Sequence, residues 1–112
     1  MENMFKYSLL LDIYGNLLTK KQLNIMKCYF EDNLSLSEIA ENENISRQAV
    51  FDMIKRGEIT LNKYEEKLSL FSIHFENKKL INGIFENLEK IKTDENIITV
   101  EEIKKLLKIL SR

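Results

Sequence analysis

Arginine and glutamine stand side by side at positions 47 and 48, directly after Ser46, a residue type that often begins a helix. In the first turn of a helix laid in a DNA major groove, each has a defined use. Arginine pairs with O6 and N7 of guanine, and glutamine with N6 and N7 of adenine. Phe51, one turn on, offers a ring that can stack on a base, touch a thymine methyl group, or pack on protein. Lys55 and Arg56 follow at a spacing suited to phosphate. Lys20, Lys21 and Ser37 fall near the starts of two earlier helices and can donate to phosphate in the same way. Each of these residues, taken alone, is equally an ordinary solvated residue of a helix surface. Asp52 lies among the same outward positions, where its carboxylate would repel phosphate.

The stretch that has to position them is Leu34 to Arg56, LSLSEIAENENISRQAVFDMIKR, which reads as a helix-turn-helix over residues 35–56. Ser35 and Glu38 have the spacing of a capping box, with Leu34 and Ile39 at the staple positions around it. Ser46 begins the second helix, with Ile45 and Val50 in the same relation. Asn44, between the two, is one of the few non-glycine residues that tolerates a left-handed backbone. Ala40 is small enough to let two helices cross closely, and Ile39, Ile45, Val50 and Met53 are expected to face inward.

The rest of the chain reads as helix. Met4 to Tyr14 is apolar on most sides, which predicts a helix that is largely buried or shared with another subunit, and Gly15 stands where a C-terminal cap would be. Thr19 with Gln22 predicts a capped second helix carrying Leu23, Met26 and Phe30 on one face, ending near residues 31–33. After the motif, Ile54, Leu61, Leu68 and Phe75 recur every seven residues, with Tyr64 and Phe71 as a second seam. That seam fits either an intrachain helix pair or a dimer interface. Ser69 interrupts it. A further helix is expected from about Leu70 to Lys92, and a last one capped by Thr99 with Glu102. The domain reading is a head over residues 1–68 and a helical tail over 69–112 that is too small to make its own core.

Composition excludes several classes. The 112 residues include no proline, three glycines, one cysteine and one histidine. Few turn formers favour an all-α fold. Cys28 and His74 cannot supply a zinc site between them, there is no glycine-rich phosphate loop, and the carboxylates are scattered at charge-pair spacing such as Glu86 with Lys90. No enzyme activity, cofactor, metal or small-molecule substrate is expected. No apolar run approaches a membrane span, and the N-terminus lacks a secretory pattern, so a cytoplasmic protein is expected. The net charge of −1 means that any nucleic-acid affinity must come from local positive charge.

The segments LLDIYG, LLTKKQ, LSLSEIAE and ISRQAV, over roughly residues 7 to 70, resemble the YlxM group of small bacterial proteins, which are similar to the fourth region of RNA polymerase sigma factors. The resemblance implies an all-helical head of the sigma region 4 type with a C-terminal helical tail. It also implies a regulatory role in the signal recognition particle pathway. Two function classes stay open. One is a nucleic-acid-binding regulator that meets DNA or the particle's RNA through the helix beginning at Ser46. The other is a protein-interaction module that engages the particle's GTPase or its RNA complex. A homodimer is expected under either.

Overall fold

The computed structural model describes residues 2–111. Their regular structure is entirely helical: α1 (Glu2–Tyr14), a 3-10 turn (Gly15–Leu17), α2 (Lys20–Phe30), α3 (Leu36–Glu43), α4 (Arg47–Leu68), α5 (Leu70–Ile91) and α6 (Ile97–Leu110). The chain divides into two compact units, one running to Phe71 and one from Ser72.

Local hydrogen bonding sets most boundaries of the first unit. Thr19 Oγ1 accepts from the Gln22 N–H at 3.2 Å and starts α2. The Ser35–Glu38 capping box is complete: Glu38 N–H donates to Ser35 Oγ at 3.1 Å, and Ser35 N–H donates to Glu38 Oε1 at 3.0 Å. Hydrogen bonding from Ser35 favours the ionised carboxylate, its backbone N–H first and its side chain second, and holds Glu38 below the usual carboxylate range. Asn44 ends α3 at φ 56 and ψ 44, the left-handed region its short amide side chain tolerates.

Gly15 does not serve as the left-handed cap its position suggested, since no glycine here has positive φ. It opens the 3-10 turn and is buried, and a Cβ built on it would lie 2.9 Å from Leu23 Cδ1. Its small size lets the chain pass close to α2. Gly57, inside α4, is also explained by space: a Cβ there would overlap the side chain of Met26.

The core of the first unit is built from α1, α2, α3 and α4, with Leu10, Tyr14, Ile25, Met26, Ile39, Val50 and Leu61 sealed from solvent. α1 is only partly enclosed: Phe5 is 70% exposed, while Tyr7, Leu10, Leu11 and Tyr14 form its buried stripe. The seven-residue seam is not one continuous interface. Ile54 and Leu61 are core residues, whereas Leu68 and Phe75 are half exposed, because α4 stops at Ser69 with φ 55. A polar clamp holds that corner. Tyr14 donates its hydroxyl hydrogen to Glu65 Oε1 at 2.7 Å and accepts from the Leu70 N–H at 3.0 Å, while the Phe71 N–H donates to the same carboxylate oxygen at 2.9 Å. Burial, and then the Glu65 bond, push the Tyr14 hydroxyl above the usual phenol range.

In the second unit, Leu88 and Val100 are buried. Lys92 pairs with Glu101 at 3.0 Å, and Lys104 pairs with Glu89 and Glu101. α6 starts at Ile97, two residues before the expected Thr99 cap. The preceding turn is closed by reciprocal bonds, Thr93 N–H to Asn96 Oδ1 at 2.6 Å and Asn96 N–H to Thr93 Oγ1 at 3.3 Å. With residues 93–96 so fixed, the helix begins at once and Thr99 falls inside its first turn.

Candidate nucleic-acid interface

Two features aim the first turns of α4. Its N-terminus is fixed because Ser46 Oγ accepts from the Ala49 N–H at 3.0 Å. Its rotation is fixed because Val50, Ile54 and Leu61 are locked in the core, which turns Gln48, Asp52 and Arg56 away from it, while Arg47, about 40° from the centre of the buried stripe, is exposed because it is the first residue of the helix. At about 100° per residue, Arg47, Phe51, Lys55 and Gln48 share one face, Asp52 flanks them on the Gln48 side, and Arg56 lies about half a turn from Arg47. Arg56 is exposed but does not join this face.

Arg47 is exposed and makes no hydrogen bond or ion pair among the described residues. Gln48 Nε2 donates to Asp52 Oδ1 at 3.0 Å. That bond uses one of the two amide hydrogens and leaves the second, with the carbonyl oxygen, open to solvent. Phe51 is 42% exposed. The Lys55 ammonium lies 5.5 Å from the centre of the Phe51 ring and 3.6 Å from Glu58 Oε2. Leu36, the first residue of α3, joins Arg47, Gln48 and Phe51 around a shallow cleft of about 490 Å³.

Ser37 is exposed beside Leu36 at the start of α3. Lys20 and Lys21 are exposed at the start of α2 and take no part in lining the cleft. Asp52 was read from the sequence only as a source of repulsion. Its bond to Gln48 was signalled by the four-residue spacing at which glutamine and aspartate pair on a helix. Leu36 was not singled out at all, because its role depends on where α3 lies against α4.

No group of three or more histidine, cysteine, aspartate or glutamate side chains able to hold a metal occurs among the described residues. Among them, no helix is long and apolar enough to cross a membrane. Burial, and next the nearby Asp32 and Glu43, raise the pKa of the Cys28 thiol, which opposes reactivity.

Comparison with known proteins places this geometry in a family. A family described as "Putative helix-turn-helix protein, YlxM / p13 like" matches residues 1–106. The chain belongs to this family, UPF0122. A UPF0122 protein of Clostridium kluyveri is 45% identical over 107 residues, covering 93% of this chain and 94% of the relative. The UPF0122 protein YofM of Lactococcus lactis is 44% identical over 107 residues, covering 95% and 94%. A UPF0122 protein of Acetivibrio thermocellus is 43% identical over 112 residues, covering 100% and 94%. A family described as helix-turn-helix suggests nucleic-acid binding, and α3 and α4 are two helices joined by the short turn at Asn44. UPF0122 is not described as an enzyme family.

Proposed function

We propose that this protein is a non-enzymatic nucleic-acid-binding regulator that offers the first two turns of α4 to its target. The observation that carries the reading is Arg47, an exposed guanidinium with no partner among the described residues, in the first turn of a helix whose cap and core anchor both fix its direction. Arg47 and Gln48 supply donors and an acceptor to bases. Lys55 meets phosphate, and Lys20, Lys21, Ser37, Ser46 and Arg56 are available to further phosphates.

The test is fluorescence anisotropy over a salt series, with duplex DNA and the signal recognition particle's RNA as probes. The motif resemblance to the YlxM group selects that RNA. Arg47→Ala combined with Gln48→Ala should weaken binding by about 1–3 kcal/mol, roughly 5- to 150-fold, with unchanged circular dichroism. Lys55→Ala should instead lower the salt slope by about one. A double variant that binds as tightly as the parent removes the assignment.

A second reading, that the tail is a protein-contact surface, is favoured by apolar side chains left open on α5 and α6. Leu80, Ile98, Leu106 and Leu110 are each more than 60% exposed. We assign that surface to a second copy of the chain. The charges of α6 left without an ion pair among the described residues support this occupant: Glu102 precedes Lys105 and Lys108, so two α6 helices in antiparallel register would set acid opposite base. Sedimentation of the full chain should give a dimer, and Leu106→Glu with Leu110→Glu should give a monomer with unchanged circular dichroism. A monomeric parent chain removes the homodimer. Binding of the particle's GTPase by such a monomer, lost on the same substitutions, would transfer the surface to that partner.

A further inference from the structure

Resting on the reading of α4 as the nucleic-acid face, we infer that the cleft between Leu36 and Phe51 takes a single unpaired guanine, swung out of a loop or a single strand, and not the edge of a base pair. Its walls are the first reason. A base edge in a groove offers a row of donors and acceptors, which planar polar side chains can read alone. This cleft adds a leucine and an aromatic ring to an arginine and a glutamine. An aromatic surface beside a guanidinium holds a base by its flat face, as in recognition of unstacked bases.

Orientation of the polar groups is the second reason. The Asp52 bond fixes the Gln48 amide at 3.0 Å, leaving one N–H and the carbonyl oxygen as a preset donor–acceptor pair. Arg47 adds the donors that suit O6 and N7, which selects guanine. Charge is the third. A duplex bedded along α4 brings phosphate against the half-buried Asp52 carboxylate, and a chain of net charge −1 has little excess positive charge to offset that. One base entering the cleft brings one phosphate near the stacked ring. The Lys55 ammonium lies over one face of the Phe51 ring, 5.5 Å from its centre, which leaves the other face for the base and places a cation close to that phosphate.

The experiment compares four labelled probes: a hairpin RNA with one guanine among uridines in its loop, the same hairpin with that guanine made abasic, single-stranded DNA of the loop sequence, and a fully paired duplex. The loop-guanine hairpin should bind at least tenfold more tightly than the abasic hairpin or the duplex. Phe51→Ala should weaken it by about 10- to 100-fold, with little effect on the duplex. Phe51→Tyr, which keeps a stacking face, should restore it. Single-stranded DNA binding as well as the hairpin supports the inference, with the base and not the sugar as the recognised part. A duplex that binds as tightly as the hairpin, with Phe51→Ala affecting both alike, overturns the unpaired-base inference. If Arg47→Ala still weakens such duplex binding, α4 remains the nucleic-acid face; if it does not, the proposed function falls as well.

Discussion

Two glycines in helices provide the sharpest quantitative test of the packing that holds α4. Gly57 and Gly83 both lie inside 22-residue helices, α4 and α5. Helix propensity treats them alike: alanine should stabilise each by about 1 kcal/mol. Their surroundings differ. A Cβ at Gly83 meets nothing within 4 Å, whereas at Gly57 it meets the Met26 sulfur and its neighbouring carbons. Met26 is fully enclosed, so it has nowhere to swing without disturbing Ile25, Val50 or other core neighbours. Overpacking of this kind costs about 1–3 kcal/mol. Set against the propensity gain, Gly57→Ala should destabilise by about 1 kcal/mol, while Gly83→Ala stabilises by about 1 kcal/mol. Urea unfolding would follow circular dichroism for both units and tyrosine fluorescence for the first, since all four tyrosines precede Phe71. In a Met26→Ala background the overlap is gone, and Gly57→Ala should change sign and stabilise. The reasoning is refuted if Gly57→Ala stabilises the native background as much as Gly83→Ala does.

Two further perturbations test the motif. Glu38 is held below its ordinary value of 4.5, so its contribution to α3 is present in full above that value and is lost as pH falls through the lowered native value. Glu38→Gln keeps an acceptor oxygen but does not ionise, so stability curves between about pH 6 and pH 3 should converge at the acid end; parallel curves would contradict the capping role. Asn44→Ala should destabilise by about 1–2 kcal/mol through its left-handed backbone, whereas Asn44→Gly should be nearly neutral, both measured by urea unfolding; equal effects would mean the side chain and not the backbone matters there.

The motif was legible because its determinants are local. A serine three residues before a glutamate, and an asparagine between two short helices, specify hydrogen bonds and a backbone region without reference to any distant partner. Gly15 and Gly57 were not legible in that way. Gly15 suggested a helix cap and Gly57 a weak point, and both are required by side chains of α2, Leu23 and Met26, that pairing in sequence does not reveal. The start of α6 was misplaced for a different reason. The Thr93–Asn96 turn, whose asparagine amide also donates to the Ile91 carbonyl at 2.9 Å, fixes the chain ahead of Thr99, and the helix begins there without a side-chain cap.

The candidate site divides along the same line. Helical periodicity was enough to expect Arg47, Gln48, Phe51, Asp52 and Lys55 to point outward, and all but the half-buried Asp52 are exposed. What the sequence left undecided was the meaning of Asp52. As a free carboxylate it only weakens phosphate binding. As the hydrogen-bond partner of Gln48 it orients that amide, and on the proposed reading it would also keep a duplex backbone at a distance. Those two effects disagree for a protein that lies along a major groove and agree for one that receives a single base. On the proposed reading of α4, the acidic residue that counts against duplex binding is the one that would favour a single base.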